Sequence, residues 1–184
     1  MKKAVLLGDS IRLLGYGTRV PALLSPDISV WQSEDNGRFA TYTLRTCFDY
    51  KDELESADVI HWNNGLWDTC DLFGDGPFTP LPVYIDTLKR IAGILLSYCP
   101  RIIFATTTPT RGLWGHDPAR LKAYNDAAVK ALVPMGVHIN DLCALISADP
   151  DGLIRDDDLI HLNSKGIELA AEQVASCIRS ALTT

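Results

Sequence analysis

No uninterrupted apolar stretch in this sequence approaches the roughly 18 residues that a membrane helix requires. Met1-Lys2-Lys3 leads into only four apolar residues before Gly8 and Asp9, which fits neither a signal peptide nor an anchor. Positive charge is the scarcer sign: 17 Lys and Arg stand against 23 Asp and Glu, for a net charge of -6. Nucleic-acid binders usually carry a basic face, so nucleic acid is not an expected partner, and neither is a membrane. The five cysteines, at 47, 70, 99, 143 and 177, are odd in number and include no CxxC pair. Buried free thiols in a reducing cytoplasm are the expectation. None of the four histidines has metal-ligand spacing to cysteine or carboxylate, so no metal is expected. Long polar or repetitive tracts of the kind that stay disordered are also missing.

The 184 residues, 47% hydrophobic and 22% charged, match one domain, 1–184, with length enough for a substantial core. Short, branched, apolar runs recur at 3–7, 28–31, 58–62, 101–106 and 136–140, and read as five strands. Helical periodicity fills 41–56, 81–98, 118–133 and 164–182. Strands alternating with helices imply a parallel sheet, because parallel neighbours need crossovers. The expected fold is therefore a three-layer α/β/α sandwich around a mostly parallel five-stranded sheet. Ligands bind such sheets beyond the carboxyl ends of the strands. Gly8-Asp9-Ser10, Asn63-Asn64-Gly65 and Thr107-Thr108-Pro109 all fall there. Asp117 before Pro118, and Asn163 or Ser164, resemble helix caps. The stretch 65–80 holds three glycines, two prolines, Trp67, Phe73 and Phe78, and reads as a rim loop shaping a pocket, with Trp114 facing it from 111–116.

A serine hydroxyl is a poor nucleophile at neutral pH until an imidazole takes its proton and a carboxylate orients that imidazole. Ser10 supplies the hydroxyl. Asp158-Leu159-Ile160-His161 supplies the rest, since Asp and His three apart on a turn can face one way. Asp156 and Asp157 crowd the same turn, and on sequence grounds either could stand in for Asp158. His61 reads as a satisfied core residue, His116 as a loop residue and His138 as a strand residue. Gly15-Tyr16-Gly17 hints at a dinucleotide loop, but Val20 occupies the third glycine position and the spacing from the strand is wrong, so no such cofactor is expected.

Val5-Leu6-Leu7-Gly8-Asp9-Ser10 resembles the first block of the SGNH/GDSL hydrolases, and Asp158-Leu159-Ile160-His161-Leu162-Asn163 resembles their last. The resemblance spans nearly the whole chain. It implies a flavodoxin-like fold and a triad of Ser10, His161 and Asp158. It also implies an oxyanion hole from the Ser10 amide, a glycine amide and an asparagine side chain, each donor worth about 3 kcal/mol. Gly37 is the matching glycine, with Asn36 and Arg38 as alternatives. Where many relatives carry Gly-Xaa-Asn-Asp, this chain reads Gly65-Leu66-Trp67-Asp68. Asn63-Asn64-Gly65-Leu66-Trp67 instead resembles an Asn-Xaa-Gly-Xaa-Trp version found in branches with carbohydrate esterases. Asn63 is the chosen donor and Asn64 the second choice.

The resulting expectation is a serine esterase working without a cofactor on a small-molecule ester, preferentially an acetyl group on a sugar or similar polyol. Asn64, Trp67 and Arg38 are the candidate substrate contacts, although Arg38 could instead pair with Glu34 or Asp35. A thioesterase or lysophospholipase is the enzymatic rival, and a non-catalytic carbohydrate-binding protein the rival of another class.

Overall fold

The computed structural model describes residues 1–112 and 115–183. Five strands, β1 (Lys2–Leu7), β2 (Ile28–Gln32), β3 (Val59–Asn63), β4 (Ile102–Ala105) and β5 (His138–Asn140), form one sheet in the order β2-β1-β3-β4-β5. Every pairing is parallel; Ala4, for example, faces Val30 on one side and Val59 on the other. The helices are α1 (Val20–Leu24), α2 (Ala40–Asp49), α3 (Lys51–Glu55), α4 (Leu81–Tyr98), α5 (Pro118–Leu132), α6 (Leu142–Ser147), α7 (Pro150–Leu153) and α8 (Ser164–Thr183). The α/β reading and the five strands agree with the sequence pattern to within a residue or two.

Alternation along the strands divides the interior in two. Ala4 and Leu6 pack with Val59, Ile103 and α8, whereas Val5 and Leu7 pack with Ile60, Trp62, Phe104 and α4. Helix α4 presents Tyr84, Leu88, Ile91 and Leu95 at spacings of four, three and four, all fully buried. Each such Leu or Ile contributes about 1.5–3 kcal/mol relative to exposure. On β3 the face toward α8 carries His61 and Asn63 next to Val59, so polar groups enter the interior directly beneath the sheet's carboxyl end.

Two differences from the periodicity reading have local causes. The helix expected over 41–56 breaks at Tyr50, whose φ of -109° and ψ of 26° leave the helical region. Beyond Ser10 the chain forms a wide helical turn at Ile11–Gly15, a tight one at Tyr16–Thr18, and then α1; these pieces are too short for periodicity to register. The caps fall where sequence puts them. Asp117 accepts from the Arg120 amide at 2.6 Å, and Asn163, chosen over Ser164, accepts from the Gly166 amide at 3.0 Å.

Candidate active site

Ser10 stands where β1 ends: Leu7 closes the strand, Gly8 and Asp9 turn the chain, and Ser10 opens the wide helical turn. Gly8 has a φ of 155°, and a Cβ there would lie 2.0 Å from Asn63 Oδ1. Only glycine lets this turn close over β3. Asp9 is fully buried, its Oδ1 accepting from the Ile11 amide at 2.9 Å and from Asn63 Nδ2 at 2.8 Å. Burial raises its pKa, against the hydrogen bonds from Asn63 and Ile11 and the Arg12 charge, which pull it down.

Asn63 closes β3, and its Oδ1 accepts from the Tyr16 hydroxyl at 2.8 Å. With the oxygen held there, the amide nitrogen is turned toward Asp9, and one of its two hydrogens stays uncommitted. Buried Arg12 braces the same turn from the other side. Its guanidinium donates to the carbonyls of Ser33, Asp35 and Gly8 and so ties the Gly8-Asp9-Ser10 turn to the loop after β2.

The second half of the site lies on the turn before α8. Asp158 Oδ1 accepts from the Ile160 and His161 amides, both at 2.9 Å, and Oδ2 lies 2.8 Å from His161 Nδ1. Burial alone would raise the Asp158 pKa. The His161 and Ile160 amides and the imidazole outweigh it and hold the carboxyl at about 2. His161 Nδ1 is thus placed to donate to a carboxylate, while Nε2 is buried and has no partner among the described residues. Leu159 sits at a φ of 60°, uncommon for a non-glycine residue, and its carbonyl accepts from the Arg111 amide at 2.8 Å. The competing carboxylates are turned elsewhere: Asp156 pairs with Arg111 at 2.6 Å and Asp157 with Arg155.

Ser10 and His161 line one cavity of about 270 Å³, walled by Leu66, Trp67, Cys70, Leu72, Phe78, His116 and Ile160. The two do not share a hydrogen bond in this conformation, as is common before substrate arrives. Trp67 and Phe78 of the 65–80 loop are thus cavity residues. Phe73 is exposed at the rim, and Trp114 lies outside the described residues.

Other expected site residues are placed differently. The Gly37 amide donates to the Gly8 carbonyl at 2.8 Å, and a Cβ on Gly37 would meet that oxygen at 2.7 Å. Its glycine identity serves this close approach, and its N–H is already committed. The amide of Arg38, one alternative, is likewise taken by Asn36 Oδ1 at 2.9 Å. Asn64 is fully buried away from the cavity, accepting from Trp62 Nε1 at 3.1 Å and donating to the Arg38 carbonyl at 3.2 Å. Arg38 also lies off the cavity, its guanidinium 5.5 Å from the centre of the Tyr42 ring; Asp35 takes the Tyr50 hydroxyl instead, at 2.5 Å. Among the described residues, no three His, Cys, Asp or Glu side chains gather closely enough to hold a metal ion.

The sequence and the fold have counterparts among known proteins. The chain is 29% identical over 129 residues to the GDSL esterase/lipase CPRD49 of Arabidopsis thaliana; the match covers 59% of this chain and 48% of that protein. The chain thus spans about half the length of that relative. No protein-family model matches. Among solved structures, the lipase/acylhydrolase of Enterococcus faecalis superposes with a TM-score of 0.81 at 19% identity, covering 98% of this chain and 96% of that one. A catalytic mutant of the acetylxylan esterase Axe2 from Geobacillus stearothermophilus gives 0.78 at 19% identity, over 96% and 94%. The chain is thus similar in sequence to a GDSL esterase/lipase and shares its fold with a lipase/acylhydrolase and an acetylxylan esterase.

Sequence reasoning overlooked three groups that shape the site. Tyr16, weighed only as part of a dinucleotide loop, orients Asn63. Leu66 and Ile160 are the spacer residues of two motifs, and both face the cavity. Asp68 anchors the rim loop by accepting from the Ala40 amide at 3.0 Å at the start of α2. Its place directly after Trp67 in the third block was the available signal.

Proposed function

We propose that this protein is a serine esterase in which Ser10 attacks an ester carbonyl. His161 Nε2 takes the hydroxyl proton, and Asp158 steadies the imidazolium that forms. The Ser10 amide and the free hydrogen of Asn63 Nδ2 stabilise the developing oxyanion. His161 then returns the proton to the departing alcohol. Water, activated by the same imidazole, cleaves the acyl-enzyme to the acid and regenerates Ser10. None of these steps needs a cofactor.

One observation carries the reading: His161, whose buried Nε2 has no partner among the described residues, lines the same cavity as Ser10, with Asp158 on the opposite ring nitrogen. The esterase name of the Arabidopsis relative supports it. An acetyl ester on a sugar is a second reading of the substrate, supported by the fold shared with an acetylxylan esterase. Cys47, Cys99, Cys143 and Cys177, free and buried or half-buried, support a reducing compartment. No helix of the described residues is long and apolar enough to cross a membrane.

The test is labelling with a fluorophosphonate alongside hydrolysis of p-nitrophenyl acetate. Wild type is expected to label and turn over, and Ser10→Ala to lose labelling and at least about 10³-fold in rate. Equal behaviour of the two proteins would exclude Ser10 as the nucleophile.

A further inference from the structure

We infer that the ester accepted here carries an apolar chain several carbons long beside the reacting carbonyl, not an acetyl group on a polyol; this rests on Ser10 being the nucleophile. The walls carry the argument. Leu66, Trp67, Leu72, Phe78 and Ile160 are five of the nine lining residues, and apart from Ser10 and His161 its one ionisable polar side chain besides the Cys70 thiol is His116. Burial and the charge of Arg120 lower the pKa of that imidazole, so it lines the wall in its neutral form.

A sugar would bring several hydroxyls into this space, and each would give up water for a partner. Among the described residues the lining adds only the Trp67 indole N–H to the groups just named, and three polar side chains outside it are engaged with the protein. Asn64 is bonded to Trp62 and the Arg38 carbonyl, Asn63 to Tyr16 and Asp9, and Arg120 to the carbonyls of Thr69 and Gly115. An acetyl methyl fits no better. At about 270 Å³ the cavity far exceeds the roughly 10–15 Å³ that a single water needs on the same measure, so a methyl leaves most of the apolar wall wet.

The apolar surface continues past the cavity mouth. Four of the nine large apolar side chains exposed among the described residues, Trp67, Leu72, Phe73 and Phe78, belong to one short segment of the rim loop. Phe39 joins them, edge-on to Trp67 at 5.5 Å and to Phe78 at 5.7 Å, and Phe78 meets Phe73 at 6.2 Å. An exposed apolar cluster of this kind marks a binding surface. Continuous with the cavity, it prolongs the wall along which a chain can lie.

The experiment compares kcat/KM for p-nitrophenyl esters from acetate to decanoate below their aggregation limits, for alkyl acetates of growing alcohol length, and for a peracetylated sugar. The expected result is a rise of about fourfold per added methylene, ending where the cavity is full. A rise in the first series puts the chain on the acyl side, and a rise in the second on the alcohol side. Leu72→Ser, a change at an exposed position, lowers the octanoate-to-acetate ratio. If acetate is hydrolysed but both series are flat or falling, or the acetylated sugar outpaces octanoate, this inference is overturned and the esterase reading stands. If no ester is hydrolysed and labelling does not depend on Ser10, both fall together.

Discussion

The Tyr16 hydroxyl donates to Asn63 Oδ1 at 2.8 Å, and this bond helps set which end of the Asn63 amide faces the Gly8-Asp9-Ser10 turn. Without it, nothing distinguishes the oxygen from the nitrogen at that place except Asp9, which accepts from Nδ2 at 2.8 Å. Tyr16→Phe keeps the ring that packs edge-on against His61 at 5.4 Å, and removes only the donor. It is expected to cut kcat about tenfold with KM little changed, at a stability cost of about 1 kcal/mol. A raised KM with kcat unchanged would mean that Tyr16 acts on substrate binding instead.

The two adjacent asparagines separate by the same reasoning. On the proposed mechanism Asn63→Ala removes an oxyanion donor and should lower kcat by about 10²–10³. Asn64→Ala opens bonds to Trp62 and Arg38 that lie away from the cavity, so it should lower the denaturant midpoint more than the rate. Steady-state kinetics beside urea unfolding of both variants checks this. A larger rate loss for Asn64→Ala would reverse the assignment.

The three carboxylates of the turn before α8 make a sharper comparison. Asp158→Asn is expected to lose about 10⁴ in kcat, because the amide favours the wrong imidazole tautomer. Asp156→Asn and Asp157→Asn break exposed pairs with Arg111 and Arg155, and should stay within a few-fold of wild type.

Much of this was legible in the sequence because it is written in periodicity and spacing. Apolar runs such as Val5-Leu6-Leu7 announce buried parallel strands, and Asp158 with His161 announces a turn on which both can face one way. What stayed hidden depends on contacts across the sheet. Nothing near Gly37 in sequence tells that Gly8 will occupy its N–H; the approach of β1 and the loop after β2 decides that. Asn63 and Asn64 look equivalent as text. The alternation of β3 sends one toward Tyr16 and buries the other against Trp62. The apolar character of the cavity was equally invisible, because its wall is assembled from residues 66–78, 116 and 160, which meet only in the fold.

Acid behaviour tests the buried charges. Asp68 sits under the rim loop, where burial raises its carboxyl to about 6 against the hydrogen bonds from Thr79 and Ala40. A carboxyl whose native pKa exceeds its unfolded value of about 3.9 binds the extra proton when folded. The stability it contributes is therefore complete below about pH 4 and lost as pH rises to about 6. His61 acts in the opposite sense. Burial lowers its imidazole to about 3, so stability is lost as pH falls below the unfolded value of about 6.5 and the unfolded chain takes up the proton. Between pH 4 and 6 the two slopes oppose each other, and Asp68→Asn removes one of them. Relative to wild type, the variant should gain stability between pH 4.5 and 7, by up to about 3 kcal/mol, as read from urea midpoints across that range. Parallel curves for the two proteins would show that Asp68 keeps an ordinary carboxyl pKa.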